Sequence, residues 1–185
     1  MIRGKLVNLR PVEKEDIPKT TRIINNFDVA IPLGSPIIGM SLKEEEDWYN
    51  NFYLSDDSGL SSLVIQSLET GEHIGHIGLK DINWKDRKTE IGLFIDQKQW
   101  GKGYGTDAMM AMCHFSFSQL NFQRIELGVF AINKQGIACY EKCGFEIEVI
   151  EKEASYVRGE YVDDITMGLL KEEFMPIYQE YMDQE

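Results

Sequence analysis

The sequence predicts a single mixed α/β domain, a largely antiparallel sheet flanked by helices, and three observations carry that reading. Apolar, strand-like runs alternate with amphipathic stretches along all 185 residues, with no internal repeat, low-complexity tract or linker between them. Short connections such as Glu69-Thr70-Gly71 and Arg158-Gly159 join successive strands and force antiparallel pairing. Three alternating glycines in Trp100-Gly101-Lys102-Gly103-Tyr104-Gly105-Thr106 lead from an apolar strand into an amphipathic run. With 43% hydrophobic and 11% aromatic residues, the chain has enough apolar material for one normal core.

Residues 5–11 read as the first strand, and Glu15-Asp16 open a helix that reaches about residue 27. A loop punctuated by Pro and Gly covers 28–40. Ser41 and Glu44 have capping-box spacing, so a second helix starts there and runs to about residue 53, with Trp48 and Phe52 on one face. Asp56-Asp57-Ser58-Gly59 end it. Residues 60–67 and 72–83 form a hairpin, and the turn Lys85-Asp86-Arg87-Lys88 leads into a strand over 89–95. The long helix after the glycines, about 103–120, puts Met109, Met112, Cys113 and Ser116 on one side, a stripe read as core. A strand over 124–130, a helix over 133–142 ended at Gly144, a hairpin of 145–157 and 160–169, and a polar helix over 171–182 complete the chain.

The balance of 19 Lys and Arg against 31 Asp and Glu, a formal charge of −12, repels nucleic-acid phosphates and attracts cations over long range. It argues against nucleic acid as a partner. The acidity serves either solubility or the gathering of a cationic substrate. Met1-Ile2-Arg3-Gly4 opens no basic-then-apolar signal segment, and no apolar run nears the roughly 18 residues of a membrane span, so a cytoplasmic location and no membrane partner are expected. Cys113, Cys139 and Cys143 are odd in number and lack paired ligand spacing. Buried thiols are expected, not a disulfide framework or a metal site. His73, His76 and His114 are scattered over a hairpin and a helix and read as surface or core side chains.

The glycine segment carries the chemistry. Glycines remove the β-carbons that keep a ligand off the backbone, and the first turn of the following helix offers N–H groups backed by the positive end of its dipole. An anion is expected on the backbone there. Gly103-Tyr104-Gly105-Thr106-Asp107-Ala108 formally fits the G-x-G-x-x-A dinucleotide pattern. The preceding strands are antiparallel, however, and Glu126, the acid about 20 residues on, stands near the start of its strand. No Gly-Lys-Ser/Thr follows the glycines, as a nucleoside-triphosphate loop requires. A purely structural glycine turn is the remaining reading.

With its surroundings the segment resembles the acyl-CoA-binding core of the GNAT-type N-acetyltransferases, most closely the branch of ribosomal-protein N-terminal and spermidine acetyltransferases. The resemblance begins at Leu9-Arg10-Pro11 with Asp16 and passes through Glu90-Ile91-Gly92-Leu93 and 100–108. It continues through Asn133-Lys134-Gln135-Gly136-Ile137-Ala138-Cys139-Tyr140-Glu141-Lys142-Cys143-Gly144-Phe145 to Gly159-Glu160-Tyr161-Val162-Asp163 and Met167, so it covers nearly the whole chain. One departure stands out: the family's phosphate loop, Q/R-x-x-G-x-G/A, has Trp100 in its first place here.

The resemblance implies one GNAT-like acetyltransferase domain over 1–185 whose central strands splay, with acetyl-CoA as cosubstrate and no metal. Leu93, Phe94 and Ile95 would pair with the pantetheine arm like an added strand, and an N–H of Phe94 or Ile95 would receive the oxyanion. Gly101, Lys102, Gly103, Tyr104, Gly105 and Thr106 would hold the pyrophosphate. Asn133 would contact the pantetheine, and Tyr140, two helical turns on, would protonate the leaving sulfur, although a helix-packing aromatic is its plain alternative. Glu90 would drain the amine's proton through water, although a solvent-facing strand Glu is equally ordinary. A Cys139 acyl-enzyme has no neighbouring His in sequence to support it.

The acceptor implied is a small polyamine-like amine or a protein N-terminus, walled by the 28–40 loop, the 41–53 helix and the 156–164 hairpin. Glu44, Glu45, Glu46, Asp47, Asp163 and Asp164 make that neighbourhood acidic if they face inward, whereas a solvated face is the default for the first four. A second copy of the chain as partner, a homodimer, stays open. The reading from a different class is a non-catalytic acyl-CoA-binding sensor, against which Asn133, Tyr140 and Glu90 speak.

Overall fold

Strand and helix order in the computed structural model follows the alternation of apolar runs. It describes residues 2–34, 39–56 and 59–184; residues 35–38 of the expected loop, and 57 and 58 of the expected helix stop, lie outside them. The elements are β1 (Ile2–Arg3), β2 (Val7–Pro11), α1 (Ile17–Ile24), α2 (Phe27–Ala30), α3 (Leu42–Trp48), β3 (Leu63–Ser67), β4 (His73–Asn83), β5 (Lys88–Ile95), α4 (Tyr104–Ser118), β6 (Arg124–Phe130), α5 (Lys134–Lys142), β7 (Glu146–Val157), β8 (Glu160–Leu170) and α6 (Lys171–Asp183). Two compact units divide the chain, one over 1–80 and 92–108, the other over 81–91 and 109–185, so β4, β5 and α4 each contribute residues to both.

In the first unit β1 to β4 are neighbours in sequence order and each pair is antiparallel. The far end of β5 lies beside β4: the Asp96 N–H donates to the Ile74 carbonyl at 2.8 Å. An ideal Cβ on Gly75 would collide with the Phe94 carbonyl oxygen, so glycine is what lets these two backbones touch. α1 starts with Pro18 in its first turn, where the missing N–H costs nothing, and buries Ile17, Ile23 and Ile24. α3 opens on the expected capping box: the Ser41 Oγ accepts from the Glu44 N–H at 3.2 Å and the Glu44 Oε2 from the Ser41 N–H at 2.7 Å.

In the second unit the strand order is β5, β6, β8, β7. The β5–β6 pair is parallel and spans three positions, Lys88–Glu90 against Arg124–Glu126, although β5 runs on to Ile95 and β6 to Phe130. β6 pairs along its whole length with β8, antiparallel, from Arg124 opposite Leu170 to Phe130 opposite Asp164. The mixed, mostly antiparallel architecture is therefore as expected, with its one described parallel pairing cut short. Met109, Met112, Cys113 and Ser116 are fully buried, and the Ser116 hydroxyl is satisfied by the Met112 carbonyl at 2.8 Å. Each large apolar side chain so buried contributes about 1.5–3 kcal/mol.

Boundaries differ where local hydrogen bonding overrides apolar periodicity. The first long strand starts at Val7, because the Gly4 N–H closes a turn on the Val7 carbonyl at 2.9 Å, and β1 adds a two-residue strand before it. The first helix stops at Ile24, since Asn26 adopts extended backbone and caps α2 by accepting from the Asp28 N–H at 3.0 Å. After Trp48 the α3 helix widens into a π turn over Tyr49–Tyr53, with the Leu54 N–H reaching the Tyr49 carbonyl at 3.0 Å. Stacked Tyr49 and Tyr53 rings, 5.4 Å apart, accompany the wider turn.

His73 and His76 are core residues. The His76 Nε2 lies 2.8 Å from the Thr20 Oγ1 and its Nδ1 2.9 Å from the Ser62 Oγ, while the rings of His73 and Phe94 stand 4.8 and 5.1 Å away. The His73 Nδ1 is 3.5 Å from Asp16, whose carboxylate accepts two bonds from Arg10 at 2.7 and 2.8 Å. Burial pushes His76 down to about 3, and pushes His73 down to about 4 against the upward pull of Asp16. Burial pushes Asp16 up, but the hydrogen bonds from Arg10 and the Glu13 N–H outweigh it and hold the carboxyl below its ordinary value.

Both imidazoles stay neutral in the fold, whereas the unfolded chain protonates them near 6.5, so on acidification the unfolded state takes up protons first. Stability is full above about pH 6.5 and is lost from there down to about pH 4 for His73 and about pH 3 for His76, by several kcal/mol in order of magnitude. Asp16 adds a further loss at lower pH, as it falls through its depressed pKa. Denaturant unfolding at pH 7.5 and 4.5 checks this: the wild-type midpoint drops steeply, and His76→Gln removes part of the drop. Equal drops in the two proteins would contradict the assignment.

Candidate active site

Beyond Ile95 the chain makes a short 3-10 turn, Gln97–Gln99, capped by the Asp96 Oδ1 accepting from the Lys98 N–H at 3.1 Å. Trp100 then donates its indole N–H to the Ile95 carbonyl at 2.8 Å, which ties the entry of the glycine loop back to its own strand. That explains the departure at this position: the aromatic shapes the loop. Sequence reasoning missed this role, and nothing beyond the indole N–H itself signals it.

Gly101 and Gly103 have φ of +74° and +84°, backbone that L side chains rarely adopt. Nothing lies within 4 Å of where a Cβ on Gly101 would sit, and residues 101–103 are exposed. The helical ladder of α4 starts with the Asp107 N–H on the Gly103 carbonyl at 3.0 Å, so the N–H groups of Tyr104 and Gly105 precede it. An open backbone thus meets the positive end of a 15-residue helix, which is the arrangement that binds anions. Tyr104 is buried, its hydroxyl 3.5 Å from the Ser67 Oγ, and the Lys102 Nζ rests on the Gln99 Oε1 at 2.7 Å. In the same unit Leu93 and Phe94 are half-buried and Ile95 is buried, with the Phe94 ring stacked on His76.

The second unit holds the other expected residues. Asn133 is the N-cap of α5, its Oδ1 accepting from the Gly136 N–H at 2.9 Å. Tyr140, half-buried on the same helix, presents its ring to Phe145 edge-on at 6.3 Å. Burial pushes its phenol well above the ordinary value, with Cys139 and Cys143 as smaller causes, so it stays protonated. α5 gives way at Gly144, φ +94°, as the sequence predicts. Glu90 is half-buried on β5, opposite Glu126 in the short parallel ladder.

The acids expected around an acceptor are not uniform. Glu44 and Asp47 are exposed and Glu46 half-buried, but Glu45 is only 6% exposed, which corrects the solvated-face expectation at that residue. Burial pushes its carboxyl up. The Asp163 Oδ1 accepts from the Glu153 N–H and the Asp164 Oδ2 from the Ser155 Oγ, both at 2.9 Å, so these acids brace the β7–β8 hairpin. Cys113 and Cys143 are buried, Cys139 is half-buried and none of the three forms a disulfide. Among the described residues no group of three or more His, Cys, Asp or Glu is placed to hold a metal, and no helix is long and apolar enough to cross a membrane.

The family model described as an acetyltransferase (GNAT) domain matches residues 7–146. Spermidine N(1)-acetyltransferase of Escherichia coli K12 is 27% identical over 176 residues, 91% of this chain and 88% of that protein. The putative ribosomal N-acetyltransferase YdaF of Bacillus subtilis is 28% identical over 128 residues, 69% of this chain and 67% of that one. Among solved structures, spermidine N-acetyltransferase from Vibrio cholerae in complex with CoA and spermine matches with a TM-score of 0.82 and 25% identity, covering 93% of this chain and 99% of that one. A family match over most of the chain, together with this structural likeness over nearly all of it, makes the chain an N-acetyltransferase belonging to the GNAT family.

Proposed function

We propose that this enzyme transfers the acetyl group of acetyl-CoA to a primary amine by direct attack in a ternary complex. The observation that carries the reading is the turn at Gly101 and Gly103 opening onto the first N–H groups of α4, a cradle that fits a pyrophosphate. We read residues 1–185 as one functional domain, because the family match runs through both units.

Residues 101–106 bind the pyrophosphate through backbone N–H groups, and Leu93, Phe94 and Ile95 offer strand backbone to the pantetheine arm beyond the point where the β6 ladder ends. An N–H of Phe94 or Ile95 takes the charge that develops on the carbonyl oxygen as the amine nitrogen bonds to carbon. When the C–S bond breaks, Tyr140 gives its proton to the departing sulfur, and Glu90 accepts the amine's proton through water. Burial keeps Tyr140 protonated, as an acid needs. Asn133 keeps its cap on α5 and turns its remaining polar atom to the pantetheine.

For the acceptor we favour a small polyamine-like cation. The charge of −12 draws cations in, and two of the relatives carry spermidine in their names. A protein N-terminus is the second reading, favoured by the ribosomal relative.

Thiol release from acetyl-CoA across polyamines, amino-terminal peptides and neutral amines tests the proposal. Turnover is expected to be greatest with polycations, to rise from pH 6 to 9 as an ammonium with a reference pKa of about 10.4 deprotonates, and to weaken with salt. Glu90→Gln loses activity chiefly at the lower end of that range, and Tyr140→Phe lowers kcat by about 10²-fold with acetyl-CoA affinity kept. Binding of acetyl-CoA without thiol release for any amine would leave the chain an acyl-CoA-binding sensor. A preference for neutral amines without a salt effect would overturn the electrostatic part.

A further inference from the structure

Asp107 is the least expected group beside the glycine loop. It is a carboxylate with 0% exposure in the first turns of α4, where a negative charge opposes the binding of an anion to neighbouring N–H groups. It stands one residue past the position from which a helix acid folds back onto its own first N–H groups. Its oxygens are engaged elsewhere, by three successive backbone donors 100 to 102 residues away. The Lys5 N–H reaches Oδ1 at 2.8 Å, and the Leu6 and Val7 N–H groups reach Oδ2 at 2.7 and 2.8 Å.

The turn that supplies those donors is built around the carboxylate. An ideal Cβ on Gly4 would collide with it, so the turn closes on Asp107 only with glycine there. The Leu6 carbonyl accepts from the Leu68 N–H at 2.9 Å, which fastens the turn next to β3. On its other side the Leu6 Cδ1 is 3.3 Å from where a Cβ on Gly103 would sit, so the same turn lies directly against the glycine loop.

We infer that Asp107 is a positioning residue for the donor substrate: by binding the N–H groups of residues 5–7 it fixes the start of α4 and turns its own charge away from the helix's first donors, reserving them for a pyrophosphate. This rests on the proposed pyrophosphate site at 101–106. The consequence is selective. Loosening the tether weakens binding of a donor that has a pyrophosphate, and leaves alone both the amine and a donor that lacks one.

The test compares acetyl-CoA with acetyl-pantetheine, which has the same thioester and no pyrophosphate, as donors for wild type, Asp107→Asn and Gly4→Ala. Asp107→Asn replaces an accepting oxygen with a donor facing a donor, and Gly4→Ala presses on the carboxylate from the other side. In both variants the KM for acetyl-CoA is expected to rise about tenfold or more, with the KM values for acetyl-pantetheine and amine unchanged. A folded variant with the wild-type acetyl-CoA KM, or a parallel rise in all three constants, would overturn the inference; if Asp107→Asn does not fold, Gly4→Ala decides. Equal wild-type KM values for the two donors would instead overturn the pyrophosphate site, and this inference with it.

Discussion

Helix α4 has to be buried along its body and open at its start, and the arrangement around it follows from that conflict. From Ala108 to Cys113 no side chain is more than 3% exposed, which anchors the helix in apolar packing. Its first turn must nonetheless present polar backbone to solvent. Left-handed glycines at 101 and 103 carry the chain in without side chains over the donors, the Trp100 indole holds the loop to β5, and Asp107 spends its charge on the 5–7 turn. The loop's shape is set by its neighbours before any ligand arrives, the condition under which binding loses least to ordering.

The far end of β5 is held in the same way by β4. Gly75 lets the Phe94 carbonyl settle against its backbone, and Gly78 makes the same allowance for the Ser61 carbonyl. Between them His76 stacks on the Phe94 ring with both nitrogens bonded to hydroxyls. A polar ring fixed at two atoms specifies one position, which an aliphatic side chain of similar size would not. The same burial makes the pair acid-sensitive, so precision in the strand and a narrower pH range of stability come from one feature.

Much of this was legible in the sequence, and the misses have physical reasons. The capping box at Ser41, the Met stripe of α4, the stop at Gly144 and the hairpin at Arg158-Gly159 were readable because each depends on local chemistry. Tyr49–Tyr53 was not, since apolar spacing over one turn fits an α or a π turn alike. Asp107 carried no reading of its own beyond its place in the Gly103-to-Ala108 pattern, because its partners are distant in sequence. His73-Ile74-Gly75-His76-Ile77-Gly78 did hold a signal: glycines inside a strand mark close backbone approach, and their repeat beside histidines pointed to packed rather than exposed rings. At the candidate site the residue types and spacings were readable, whereas the helix cap made by Asn133 and the shaping role of Trp100 needed coordinates.

The central claim is that acetyl-CoA lies with its pyrophosphate on the backbone of 101–106. Calorimetric titration of acetyl-CoA into wild type and Gly105→Val tests it most directly. Gly105 is inside α4, where valine is tolerated better than glycine, so the fold is expected to survive while the new side chain covers the donors. The account predicts tight binding to wild type and none measurable to the variant at an unchanged thermal midpoint. Equal affinity in the two proteins would contradict it.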